Sequence, residues 1–203
     1  MSEPFWERTY ADIEGPDTFG SPSNEIVRLA RVLGRGATVL DIGSGDGRNA
    51  VFLAEQGLAV TAIDVSEVGI AKLAHRAGIA GVSINAVVAD VCSYEISGQY
   101  DLIIAHGMLH LLRPECRDEV LSSMIANTKH GGFNVVAVFT DSIPSPDDLA
   151  PFTIGLFKEG EIFDRYRDWI IDEQRSYVLE DEHPGGIRHR HPINKVVAQK
   201  PNA

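Results

Sequence analysis

Between Thr38 and Phe139, short apolar runs closed by glycine or acid alternate with segments of helical period, and this alternation restricts the chain more than any single motif. Thr38-Val39-Leu40-Asp41-Ile42 reads as a buried strand, Asp46 to Gln56 as a helix stopped by Gly57, and Leu58 to Asp64 as a second strand. Ser66 to Ala77 follows as a helix with Ser66 at its cap, then Val82 to Ala89 as a third strand and Tyr100 to Ala105 as a fourth. Pro114 to Thr128 is a helix with proline at an early position, and Phe133 to Phe139 is a fifth strand after Gly131-Gly132. Such alternation implies right-handed crossovers and a doubly wound parallel sheet with helices on both faces. Ile26, Leu29, Ala30 and Leu33 predict one more helix ahead of it, after Asn24. Residues 1 to 23 predict a short helix and a loop carrying Phe5, Trp6 and Tyr10, which either cover a ligand or pack in a core.

The last quarter breaks the alternation. After a short helix from Glu159 to Arg167, Trp169 to Leu179 and Ile187 to Lys200 are extended segments separated by Pro184-Gly185-Gly186. Two strands joined by a glycine-rich turn form a hairpin. The expected fold is therefore α/β, with a mostly parallel seven-stranded sheet and an antiparallel C-terminal hairpin.

Within that frame, Leu40-Asp41-Ile42-Gly43-Ser44-Gly45-Asp46-Gly47-Arg48-Asn49 runs from a strand through a glycine loop into a helix. Glycines there let the backbone approach a ligand, and a helix N-terminus offers free N–H groups. The D-x-G-x-G-x-G spacing differs from the dinucleotide fingerprint and lacks the Gly-Lys-Ser/Thr of a phosphate loop. Asp64, at the end of the second strand, is placed to accept both hydroxyls of a ribose. Asp90 and Val91, after the third strand, suit an adenine amine and ring. Three acids around one ligand repel pyrophosphate and favour a nucleoside carrying a sulfonium and an ammonium.

The whole chain is acidic as well, with 18 Lys and Arg against 29 Asp and Glu, a net charge of −11. That balance argues against a nucleic-acid partner, whose phosphates require clustered cations. No apolar run has the length of a membrane span, and the charged start does not resemble a signal peptide, so no membrane partner and a cytoplasmic location are expected. Cys92 and Cys116 form no C-x-x-C pair and read as free, mostly buried thiols of a reducing compartment. No metal is expected: His189 and His191 lack an evident third ligand.

The run from Val39 to Asp64, with Asp90 in register, resembles the S-adenosylmethionine site of class I methyltransferases. The resemblance implies that Asp41, Gly43, Ser44, Gly45, Gly47, Asn49, Asp64, Val65, Asp90 and Val91 hold the cofactor. It also implies a ligand-contacting segment after the fourth strand, Ala105 to His110, with His106 and Met108 against the cofactor; His106 is a base or a wall residue, and His110 a packed helix-start histidine. The segment has no Asn/Asp-Pro-Pro-Tyr/Phe motif, which speaks against nucleobase amine and amide acceptors.

A narrower resemblance rests on Phe152-Thr153-Ile154-Gly155-Leu156-Phe157-Lys158-Glu159-Gly160-Glu161, Tyr166, Trp169 and the basic end strand. In this order the chain is similar to tellurite-resistance methyltransferases of the TehB type. That family implies methyl transfer to tellurite and related chalcogen oxyanions, which would need cations. Arg188, His189, Arg190, His191 and His183 are the candidates for binding or protonating an anionic substrate. Period two puts His189 and His191 on one face and Arg188 and Arg190 on the other. In-line attack by a lone-pair nucleophile on the sulfonium methyl is the expected reaction. The competing readings are a thiol, halide or hydroxyl acceptor, a protein that binds the cofactor without catalysis, and an NAD-dependent oxidoreductase. Residues 1–203 are expected to form one methyltransferase domain, with 1–23 as lid or helix, 36–140 as cofactor core and 150–200 as substrate-side cover. A monomer or homodimer acting on a small molecule completes the expectation.

Overall fold

The computed structural model describes residues 5–147, 149–183 and 187–202, and the side chains of 6–147, 149–180 and 189–202. The chain runs α1 (Phe5–Tyr10), α2 (Asn24–Val32), β1 (Thr38–Ile42), α3 (Arg48–Glu55), β2 (Ala59–Asp64), α4 (Glu67–Ala80), β3 (Asn85–Val88) and β4 (Tyr100–His106). A 3-10 turn (Leu109–Leu111), α5 (Pro114–Asn127), β5 (Thr128–Phe139), α6 (Glu161–Arg165), β6 (Ile170–His183) and β7 (Ile187–Gln199) follow. Among the described residues these strands form one sheet in the order β3-β2-β1-β4-β5-β7-β6. All pairs through β5 are parallel, and β7 is antiparallel to both β5 and β6.

The central strands read as continuous apolar runs because both their faces are covered. Val39, Leu102, Ile104, Val135 and Val197 meet α2, α3 and α4 through Ile26, Leu29, Leu53 and Leu73. Leu40, Ile42, Ile103, Val136 and Val196 face the other way, toward Val120, Leu121 and Met124 of α5 and Ile162 of α6. Ser66 caps α4 as expected, its hydroxyl accepting from the Gly69 N–H at 2.9 Å. β5 begins five residues earlier than the sequence suggests. Gly131-Gly132 does not precede the strand but lies within it, where the register against β4 shifts between Tyr100 and Leu102.

One expectation is overturned. Cys92, just beyond β3, and Cys116, in the first turn of α5, are joined as a disulfide, with Cα atoms 5.5 Å apart. The two lie 24 positions apart, and the chain between them leads through β4 and back, so the fold brings together what the spacing leaves apart. Cys92 is exposed and Cys116 half-buried, which also removes the argument from free thiols to a reducing compartment. Among the described residues no helix is long and apolar enough to cross a membrane.

Candidate functional site

From β1 the chain moves outward to β2 and β3, then returns past β1 to β4 and β5, so the strand order reverses between β1 and β4 while the strands stay parallel. A crevice opens outside the carboxyl ends of the strands at such a point. Here it is a cavity of about 1130 Å³, somewhat beyond the roughly 300–1,000 Å³ of ordinary ligand pockets.

One wall is the turn after β1. Asp41, Gly43, Ser44, Gly45 and Asn49 all line the cavity, with Asp64 and Val65 from the end of β2 and Asp90 and Val91 from beyond β3. Gly47 lies outside the wall: it ends the turn just before α3, where a Cβ would meet Leu73. Asp64 holds the turn, one oxygen accepting from the Gly45 N–H at 2.8 Å and the other from the Ser66 N–H at 2.9 Å. Asp90 accepts from the Cys92 N–H at 2.9 Å. Burial pushes the Asp41 carboxyl up to about 7, with nearby Arg48 opposing the rise and Asp64 adding to it. Asp64 is likewise raised by burial, against backbone N–H groups that favour its charge. A buried acid and a half-buried one, both with charge that is costly in the free protein, form a site that gains by receiving a cation.

The N-terminal aromatics cover this wall. Tyr10 is buried over the turn, where a Cβ on Gly45 would collide with its hydroxyl. Burial, reinforced by Asp64, Asp46 and Glu7, keeps that hydroxyl protonated. Trp6 lines the cavity and meets the edge of Phe152 across it, ring centres 5.7 Å apart. Phe5 lies outside the described side chains. Asp46, which also lines the cavity, accepts from Thr18 N–H and Oγ1 at 2.9 Å and pairs with Lys72, tying the 11–23 loop to α4.

The second wall comes from β4, β5 and β7. His106 and Met108 line it beside Gly43, and His110 lines it from the 3-10 turn. His110 is a packed histidine, as its apolar flanks suggest. Its ring stacks on Phe139 at 3.9 Å, and Phe139 stacks in turn on His191 at 4.6 Å. The Phe139 N–H donates to His110 Nδ1 at 3.2 Å. Burial, with His191 adding to it, pushes His110 down to about 3, so it is neutral near pH 7.

The basic end strand divides as its period requires. His191 lines the cavity, followed on the same face by Ile193 and Lys195. His189 is buried edge-on against His191 and is not part of the cavity wall. Arg190, expected as a substrate-binding cation, instead points to solvent: its side chain is 62% exposed and pairs with Glu180. His191, Ile193 and Lys195 share the face of β7 that meets the cavity, and Arg190 is on the opposite side. Arg188 and His183 lie outside the described side chains.

Several groups at the site escape the sequence reading. Glu25, in the first turn of α2, is buried and reaches His106 Nε2 at 3.2 Å and Lys195 Nζ at 2.9 Å. Burial alone would raise its carboxyl, but these two partners outweigh burial and hold it at about 2. Lys195 also meets Glu173 at 3.0 Å, Ser23 Oγ lies 3.3 Å from His106 Nε2, and Arg48 Nη2 lies 3.4 Å from His106 Nδ1. Lys195 was within reach of the period-two rule applied from His191. Glu25 was not, since an acid in a first turn reads as an ordinary dipole partner.

Comparison with known proteins gives this arrangement a family. The sequence pattern described as "Tellurite resistance protein TehB" matches residues 18–182. A "Probable S-adenosyl-L-methionine-dependent methyltransferase TehB" of Haemophilus influenzae is 31% identical over 158 residues, 77% of this chain and 54% of that protein. A 2-heptyl-1-hydroxyquinolin-4(1H)-one methyltransferase of Mycobacteroides abscessus is 28% identical over 162 residues, 78% of this chain and 70% of that one. The crystal structure of TehB from Haemophilus influenzae superposes with a TM-score of 0.78 at 27% identity, covering 88% of this chain and 62% of its own. The chain thus spans about half the length of the Haemophilus sequence relative. With the family pattern covering most of its length and the strand order, hairpin and glycine turn in place, the chain belongs to the TehB family.

Proposed function

We propose that this chain binds S-adenosylmethionine against the β1 turn and transfers its methyl group to a small acceptor held against the β4, β5 and β7 wall. The observation that carries the reading is the acid-ringed glycine cradle, in which Asp41 and Asp64 are raised by burial and so favour a cationic ligand. The donor supplies an electrophilic sulfonium methyl. The residues supply the rest: Asp64 accepts from a ribose, Asp90 and Val91 take the base, Asp41 faces the positive end, and Tyr10 with Trp6 excludes water. Ser44, Asn49, Val65, His106 and Met108 complete the cofactor side, and Gly47 sets the turn behind it. In this proposal residues 36–140 form the cofactor core and 150–200 the cover of a single domain. It acts as a monomer or homodimer in the cytoplasm, where the sulfonium donor is made.

Two acceptor readings have support. A chalcogen oxyanion such as tellurite or selenite is supported by the family's description, with Arg48 and Lys195 as the cations lining the cavity. An acceptor bearing an ionisable hydroxyl or thiol is supported by the stack of His110, Phe139 and His191, in which burial keeps His110 neutral, and by the relative whose name specifies a hydroxyquinolinone. Methyl-labelled donor offered with selenite, tellurite, thiols and phenols, with products followed by mass spectrometry, decides between them. Arg190→Ala is expected to keep transfer within about twofold, because an exposed ion pair contributes little. Absence of label in every product would leave a cofactor-binding protein without catalysis and sink the proposal.

The Asp41 carboxyl adds a pH dependence. It must lose its proton to attract the cation, so affinity for S-adenosylmethionine should rise about tenfold from pH 6 to 8, as for one linked proton with a free-state pKa near 7. Titration calorimetry in buffers of differing ionisation enthalpy should show proton release at pH 6, and Asp41→Asn should abolish it. An affinity that is flat over this range would remove Asp41 from the cofactor's surroundings.

A further inference from the structure

The Glu25 and His106 side chains carry a step that methyl transfer to a bare oxyanion does not need. Arg48 can only donate hydrogen bonds, so its approach to His106 Nδ1 at 3.4 Å requires an unprotonated Nδ1. The ionised Glu25 carboxylate can only accept, so its contact with Nε2 at 3.2 Å requires Nε2–H. The two neighbours select the same neutral tautomer from opposite ends of the ring. Lys195, itself held by Glu173, fixes Glu25 from the far side at 2.9 Å. This is the arrangement of a base whose outer nitrogen is oriented by a buried carboxylate while the inner one carries the lone pair.

We infer that His106 is a catalytic general base, that Glu25 is its positioning residue, and that the acceptor is a planar aromatic hydroxyl. The inference rests on the methyltransferase reading above and narrows its acceptor. The body of such an acceptor would lie along the stack of His110, Phe139 and His191 and between Leu149 and Phe152, which line the same cavity. The step balances without a further reactant. The hydroxyl proton passes to His106 Nδ1, and an oxygen lone pair forms the bond to the methyl carbon. The carbon–sulfur bond breaks with its electron pair retained by sulfur, leaving a neutral thioether and an aryl methyl ether. The imidazolium, stabilised by Glu25, returns its proton to solvent. Arg48, displaced from Nδ1 by the incoming hydroxyl, is placed to stabilise the developing phenolate. The charged groups around His106 are thus Glu25 from α2, Arg48 from α3, Asp41 from β1, and Lys195 with Glu173 from the hairpin.

The test uses the unmodified protein, Glu25→Gln and His106→Asn, each offered a series of phenols from 4-nitrophenol, largely ionised in solution, to 4-methoxyphenol, which is not. A general base is needed only where the acceptor keeps its proton. Both variants should therefore lose about 100-fold or more in kcat with 4-methoxyphenol, and only a few-fold with 4-nitrophenol, so that any change in cofactor affinity is common to both phenols. Independently of turnover, nitrogen-15 shifts of the His106 ring should report the Nε2–H tautomer in the unmodified protein and a mixture in Glu25→Gln. If Glu25→Gln fails to fold for want of a partner to Lys195, His106→Asn carries the same comparison. Equal losses across the series, or selenite methylated while no phenol is, would overturn the base and leave methyl transfer standing. No transfer by the unmodified protein to any acceptor would overturn the methyltransferase reading itself.

Discussion

Gly43→Ala is expected to weaken S-adenosylhomocysteine binding by about 100-fold or more while leaving a folded protein. Gly43 has φ +68°, a left-handed conformation that costs an alanine roughly 1–2 kcal/mol. A Cβ there would also stand 2.6 Å from Met108 Cβ and 2.5 Å from Met108 Cγ. Met108 Cβ is anchored to the backbone between β4 and the 3-10 turn, so a rotamer change cannot clear it. Either that backbone retreats, moving the segment that carries His106, or the β1 turn flips and loses the shape that Asp64 holds. A free protein can relax by either route, and binding must reverse it. Strain and collision together are worth about 3 kcal/mol, or two powers of ten in affinity, since 1.4 kcal/mol is a tenfold change. Gly36→Ala is the control: its φ is +82°, but nothing lies within 4 Å of its Cβ position. It should lose stability and keep affinity. Calorimetric titration compares the two, and affinity in Gly43→Ala within threefold of the unmodified protein would contradict the cradle.

The fold was legible because the signals it depends on are local. Buried strands, glycine stops and helical periods each lie within about ten residues, and the two faces of Val39-Leu40 or Ile103-Ile104 follow from alternation alone. The cavity wall at the β1 turn was legible for the same reason: its groups sit at strand ends, whose order the alternation predicts. The acceptor side depends on which face of β7 turns inward, and a period cannot choose between faces. The cluster of Arg188 to His191 drew attention to charge, whereas His191, Ile193 and Lys195 are the ones that line the cavity. The Glu25 contact with Lys195 spans 170 residues, and the bond between Cys92 and Cys116 crosses from a loop to a helix. Neither leaves a trace in spacing. Tyr10 is an intermediate case, an aromatic whose position over the β1 turn needs the path of the whole 11–23 loop, fixed by Asp46.

Arg117→Met should destabilise the protein by about 3–5 kcal/mol, the range for breaking a buried charged network by removing one partner. The Arg117 guanidinium, on α5, donates at 2.6 Å to the carbonyls of Gly155 and Leu156 and at 2.7 Å to Glu161, and lies 4.0 Å over the Phe157 ring. Methionine replaces the packing volume and none of the donors. Each carbonyl left without a donor costs about 1–3 kcal/mol. Glu161 contributes less, because its side chain is 24% exposed and water can take over. Arg117→Lys keeps the charge with one donor group and should recover only part of the loss, since a single ammonium cannot match the fork. The consequence for the site is one-sided. Thr153 and Ile154 line the cavity, at what is the acceptor end in the proposal above, just before the segment that Arg117 holds, whereas the β1 turn is anchored separately by Asp64. Arg117→Met should therefore raise KM for the acceptor while leaving S-adenosylhomocysteine affinity nearly unchanged at temperatures where it is folded. Urea unfolding measures the first effect and titration the second. A stability loss below 1 kcal/mol would show that Arg117 is incidental to the wall.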